Sequence, residues 1–211
     1  MAGYRVREIF LSLQGEGAWN GRAAVFCRFV GCNLWSGRQE DRESAVCRFC
    51  DTDFRTPDGV LGGHYESAAT LCAAIASQWQ GGAERRYVVL TGGEPLLQLD
   101  GALIEALHEE GFTVAVETNG TLPAPGGIDW LCVSPKGGSK LVLRHGDELK
   151  LVYPQANAAP EDFADLAFGR FSLQPMDGAD RDANTKNAIA YCLRHPQWQL
   201  SVQIHKTIGI P

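Results

Sequence analysis

Short apolar runs of strand length alternate with helix-period stretches along this chain, and most of the runs end in a polar or glycine-rich junction. Ala24 to Val30 is an apolar run carrying Cys27 and Arg28, which predicts a buried strand ending before Gly31-Cys32. Further strands are predicted at Tyr87 to Leu90, Phe112 to Val116, Trp130 to Val133, Leu149 to Tyr153 and Phe171 to Leu173, with a last one at Gln199 to Ile204. Leu71, Cys72, Ile75 and Trp79 share one face of a helix over Glu66 to Trp79. Leu99, Leu103 and Leu107 mark a second, which ends near Gly111. Helices are also expected near Pro160 to Leu166 and over Asp182 to Leu193, the latter burying Ala188, Ile189, Cys192 and Leu193.

Such alternation implies a mostly parallel sheet with right-handed crossovers. The junctions Thr91 to Pro95, Glu117 to Gly120, Ser134 to Gly138 and Gln174 onward then gather at the carboxyl edge of the sheet, where α/β proteins build their sites. Eight full β/α units need roughly 250 residues, and the chain has 211. The expected fold is α/β: an open or partial barrel of about six mostly parallel strands, one domain over 1–211. Residues 33–65 read as a long charged loop inserted into it, and loops of that length usually bind something.

Composition narrows the partners. Nineteen basic residues against twenty-five acidic give a charge of -6, with no Lys/Arg run, so a nucleic-acid backbone is not expected. The start lacks the apolar core of a signal peptide, and no stretch approaches about eighteen apolar residues. Neither export nor a membrane is expected, and the cytoplasm is the default.

Seven cysteines without an export signal argue against a disulfide framework. Cys27, Cys72, Cys132 and Cys192 sit in apolar stretches and read as buried thiols. Cys32, Cys47 and Cys50 differ. Two residues separate Cys47 from Cys50 and fourteen separate Cys32 from Cys47. Three soft sulfurs suit an iron–sulfur cluster and leave one iron of a four-iron cubane open. A zinc site of Cys₃His type with His64, or a redox dithiol, fits the spacing as well.

Taken with their surroundings, these cysteines resemble the cluster motif of the radical S-adenosylmethionine superfamily, with Phe49 as the aromatic before the third cysteine. The wide first spacing is similar to that of one branch, the 7-carboxy-7-deazaguanine synthases. The likeness extends through Phe10-Leu11-Ser12-Leu13-Gln14-Gly15-Glu16-Gly17, Phe26 to Trp35, Cys50-Asp51-Thr52 and Thr91 to Pro95. It implies an initial strand, a partial, distorted β/α barrel and a homodimer. It further implies a [4Fe-4S] cluster, S-adenosyl-L-methionine and Mg²⁺, a small-molecule pterin substrate and a flavodoxin-type electron donor. The implied reaction turns 6-carboxy-5,6,7,8-tetrahydropterin into 7-carboxy-7-deazaguanine with loss of ammonia, on the route to deazapurines such as queuosine.

By the same resemblance, Cys32, Cys47 and Cys50 hold the cluster and Thr52 holds Mg²⁺. Gly92, Gly93 and Glu94 hold the methionine amino group, the alternative being a tight turn with Glu94 as a helix cap. Glu117, Asn119, Ser134 and Lys136 lie at the next two strand ends and suit ribose, adenine and carboxylate contacts. Arg28, a cationic fork on a buried strand, suits a substrate carboxylate, or else an internal ion pair with the insertion. Gln14 and Glu16 are expected to read the pterin edge, and Gln174 and His205 to complete the pocket. The segment Gly209-Ile210-Pro211 is expected to fold over it. Two rivals remain: a glycyl-radical activase, and a non-catalytic zinc-binding α/β protein.

Overall fold

The computed structural model describes residues 3–211. Its strands are β1 (Tyr4–Leu13), β2 (Ala23–Phe29), β3 (Gly63–Tyr65), β4 (Tyr87–Gly92), β5 (Thr113–Thr118), β6 (Trp130–Val133), β7 (His145–Tyr153), β8 (Ala167–Pro175) and β9 (Trp198–Leu200). They join in one sheet in the order β3-β1-β2-β4-β5-β6-β7-β8-β9. From β2 to β9 every pairing is parallel, while β1 runs antiparallel to both β2 and β3. The short link between β1 and β2 demands that arrangement, because only antiparallel neighbours are joined without a crossover. The α/β architecture is therefore the expected one, with two antiparallel strands added at one edge.

Among the described residues four α-helices accompany the sheet: α1 (Ala68–Gln78), α2 (Gly101–Glu109), α3 (Arg181–Arg194) and α4 (Ile204–Ile208). Ser67 and Thr70 close a reciprocal cap at the start of α1, satisfying two otherwise unpaired donors. Asp100 caps α2 through Leu103 N and also accepts from the Tyr4 hydroxyl at 2.7 Å, tying α2 to β1.

The strands sort their side chains by parity. One set faces the helices: Val25, Cys27 and Phe29 on β2, Val88 and Leu90 on β4, Val114 and Val116 on β5, Leu149 and Leu151 on β7, all fully buried. They form one core with Leu71 and Ile75 of α1 and Leu103 and Leu107 of α2, each such side chain contributing about 1.5–3 kcal/mol. The other set faces inward. Ala24, Tyr87, Val89 and Ala115, with Phe26 and Trp130, form a small apolar plug. One step further along the same faces stand Arg28, Thr91, Glu117, Ser134, Lys150 and Gln174, which line a cavity.

Three expectations need correction. The segment Pro160 to Leu166 holds only a single 3-10 turn, Pro160–Phe163, capped by Asp162 accepting from Ala159 N. The run Gln199 to Ile204 is not one strand: β9 stops at Leu200 and α4 begins at Ile204. On α3 the buried residues are Ala188 and Tyr191, whereas Ile189 and Leu193 are 41% and 79% exposed. Tyr191 decides the frame, packing on Tyr153, His195 and Trp198 while its hydroxyl donates to Glu161.

Residues 33–65 are mostly irregular, as expected, apart from a 3-10 turn at Gln39–Ser44 and β3. Buried Trp35 and Phe54 pack edge to face at 5.6 Å and anchor this loop. Arg42 lies over Trp35 and donates to the carbonyls of Arg48 and Cys50, fixing the path between the second and third cysteines.

Candidate active site

The carboxyl ends of the parallel strands surround a cavity of about 700 Å³. Its two ends differ in chemistry. One is built on sulfur and glycine. Cys32 follows β2 after a left-handed turn at Gly31 (φ 93°). Gly93 packs directly on that turn, and a Cβ there would collide with the Gly31 carbonyl and stand 2.8 Å from Cys32 Cβ. Gly92, at φ 152°, leaves no room for a side chain against the Phe29 backbone.

Cys47 and Cys50 line the cavity. The two thiols act on each other: Cys47 draws Cys50 down to about 6 against the effect of burial, while Cys50 and burial together push Cys47 up. Burial raises the Cys32 thiol, which lies within electrostatic range of both. Lys136 stands beside the pair over the Phe49 ring; burial lowers its amine, and the two thiols partly offset that. Its Nζ donates to the Ser134 hydroxyl at 2.6 Å and the Ser134 carbonyl at 2.7 Å.

Among the described residues no three His, Cys, Asp or Glu side chains converge as a chelate for one metal ion. His64 sits exposed on β3, paired with Arg5 and away from the cavity, so the Cys₃His zinc set does not form. A cubane spreads its thiolates over different irons and needs no such convergence. Three soft sulfurs around a glycine cradle fit that group.

Glu94 does not line the cavity. Its buried carboxylate accepts from Leu96 N, Thr118 Oγ1 and Asn119 N at 2.7–2.9 Å, which joins the β4 junction to the end of β5. This matches the capping alternative. The Asn119 side chain lines the cavity but also bonds Asn33 and Thr121. Thr52 lines it between Asp51 and Asp53.

The other end is a polar floor. Arg28 Nε donates to Glu8 at 2.9 Å, so its ion pair is with β1 and not with the insertion. Gln14 Nε2 donates to Glu117 Oε1 at 2.9 Å, and Gln14 Oε1 accepts from Glu16 N. Glu117 therefore groups with Gln14 and Glu16, apart from Ser134 and Lys136. Burial alone would raise Glu16, but Lys150 at 2.6 Å and Gln203 at 2.8 Å hold it at about 2. Gln174 is buried and accepts from Ser201. His205 on α4 fills the space left by the missing side chain of Gly15. Pro211 lines the cavity and its carbonyl oxygen accepts from Ser12 at 2.8 Å.

Sequence reasoning missed Lys150, Glu148 and Lys206. Lys150 had a signal, since a lysine between Leu149 and Leu151 in an otherwise apolar run must find charge inside. Lys206 had none: it bridges Asp51 and Asp177, remote in sequence.

The family model of the radical SAM superfamily matches residues 43–148, which takes in Cys47, Cys50 and the junctions after β4, β5 and β6. The 7-carboxy-7-deazaguanine synthase of Bradyrhizobium diazoefficiens is 69% identical over 207 residues, 98% of this chain and 99% of that one. Its counterpart in Caulobacter vibrioides is 64% identical over 208 residues, 99% of each. The crystal structure of QueE from Escherichia coli superposes with a TM-score of 0.71 at 28% identity, covering 95% of this chain and 93% of that one. No helix among the described residues is long and apolar enough to cross a membrane. The sulfur-and-glycine end, the polar floor and these similarities agree, and the chain belongs to the 7-carboxy-7-deazaguanine synthase family of the radical SAM superfamily.

Proposed function

We propose that this chain converts 6-carboxy-5,6,7,8-tetrahydropterin to 7-carboxy-7-deazaguanine with loss of ammonia. The observation that carries the reading is the two-ended cavity, with thiols and glycines facing Arg28, Gln14, Glu16 and Glu117. Cys32, Cys47 and Cys50 hold a [4Fe-4S] cluster, and Thr52 contributes a hard oxygen to Mg²⁺. When bound, the cluster and S-adenosylmethionine supply a 5′-deoxyadenosyl radical able to take hydrogen from C6 of the substrate.

The protein's own part is placement. Gly92 and Gly93 let the cofactor approach the backbone closely, and Glu94 acts behind them by holding the turn. Asn119, Ser134 and Lys136 receive the rest of the cofactor. Arg28 is steadied by Glu8 through Nε, which leaves its terminal nitrogens for the substrate carboxylate. Gln14, Glu16 and Glu117 face the N–H edge of the pterin, with Gln174 and His205 beside them. The tail at Pro211 covers the cavity. Two copies of the chain form a homodimer fed by a flavodoxin-type donor.

Anaerobic turnover tests the reading. Protein with its iron restored, given reductant, S-adenosylmethionine and carboxypterin, is expected to release one ammonia per product. Turnover only with a protein partner would instead return the chain to the activase reading. A colourless protein holding one zinc would end both.

A further inference from the structure

Lys150 has no role in the reading above, yet it is among the most deeply buried charges in the molecule, with its side chain 5% exposed. Its Nζ lies 2.6 Å from Glu16 Oε2 and 3.3 Å from Glu117 Oε1. Beneath it the interior narrows to a space of about 10 Å³, bounded by Trp19, Tyr87, Trp130 and Cys132. That is room for one water at most. The Glu148 carboxylate lines the same space, but the ammonium is turned towards Glu16 and Glu117, its ion-pair partners.

We infer that Lys150 is a positioning residue: gripped between Glu16 and Glu117, it fixes both carboxylates as acceptors for the N–H edge of a heterocyclic substrate. This rests on the reading of the cavity as the pterin site. Two further contacts mark β7 as the support of that end. Glu148, two residues along the same face, accepts from Ser172 Oγ at 2.5 Å and from Ala18 N at 3.1 Å. It fills the space over Gly17, so the turn after β1 rests on β7 at both Glu16 and Gly17. A buried lysine without partners would tend to lose its proton. Here burial is overruled by Glu117 and Glu16, and the amine is raised well above its usual value. The groups facing it are Glu16, Glu117, Glu148 and Cys132, with His205 beside Glu16 and Lys136 across the cavity.

The test is anaerobic equilibrium binding of 6-carboxytetrahydropterin to the cluster-loaded protein with S-adenosylmethionine, across pH, for wild type, Lys150→Met and Lys150→Arg. Wild-type affinity is expected to stay level on the acid side, because Glu16 remains ionised. Lys150→Met is expected to lose about tenfold or more in affinity, as loss of a buried charge partner commonly does. Its affinity should also fall as pH drops through the raised value of an unpaired Glu16. Lys150→Arg should restore most of both, and affinity for S-adenosylmethionine should not change.

Unchanged pterin affinity and an unchanged acid limb in Lys150→Met would overturn the inference, as would an equal loss of cofactor affinity. Should Lys150→Met not accumulate folded, the comparison of Glu16→Gln/Glu117→Gln with Glu16→Gln/Glu117→Gln/Lys150→Met carries the test. With neither carboxylate left to hold, binding by the triple variant within about threefold of the double variant supports the inference, and a further tenfold loss (about 1.4 kcal/mol) overturns it. Failure of wild type to bind the pterin would instead sink the reading of the cavity itself.

Discussion

Cys32 lies just past β2, whereas Cys47 and Cys50 hang on a loop whose path is set by Trp35, Phe54 and Arg42. Because that path is held by the contacts of Trp35, Phe54 and Arg42, Cys32→Ala is expected to leave secondary structure and solubility intact by circular dichroism. The same variant should fail to retain about four irons per chain and the visible absorbance of a cubane. Glu16 carries a second prediction. Its folded value of about 2 lies below the usual 4.5, so its contribution to stability is complete above about 4.5. That contribution disappears as pH falls towards 2, and denaturation of wild type against Glu16→Gln should show the gap closing over that window. Cysteines and glycines announce themselves by type and spacing, so this part of the site was legible in the sequence. The partners of Glu16 were not, because Lys150 and Gln203 stand 134 and 187 residues further along the chain and meet it only once the chain is folded.

At the level of elements, the junction after β4 is the tightest joint. Gly93→Ala would drive a Cβ into the Gly31 carbonyl and towards Cys32. A loss of about 1–3 kcal/mol in chemical denaturation is expected from such overpacking, together with poorer iron retention. Leu103→Ala removes a fully buried side chain between α2 and the sheet. It should cost about 2–5 kcal/mol while leaving cofactor affinity in the surviving folded protein unchanged. Strands and helices with clean apolar periods, β2, β4, β6, α1 and α2, could be placed from the sequence. The run Pro160 to Leu166 could not, since polar helical composition does not distinguish a helix from one capped turn. The face of α3 was misjudged because Tyr191 outweighs Ile189 and Leu193, a choice made by the aromatic neighbours it meets.

For the molecule as a whole, one sheet supplies both the core and the reactive surface, and the insertion supplies the third wall of the cavity. Loading with iron and S-adenosylmethionine should therefore raise the thermal midpoint by mass action. Hydrogen exchange is expected to slow chiefly in 33–65 and 203–211, with little change in β4 and β5. Uniform slowing over the whole sheet would show that the loop and the C-terminal helix are not the parts the ligands order. The carboxyl-edge location of the site was legible from the chain's alternation, but the closing contacts of α4 with Asp51 and Asp177 were not. The parity of the central strands has one last consequence. Even and odd positions answer to different demands, so the reactive column is free to vary while the scaffold column stays as it is. Deleting a single residue from β4 or β5 would exchange the columns, turning leucines and valines into the cavity and acids into the fat of the molecule. Deleting two would only shorten the strand.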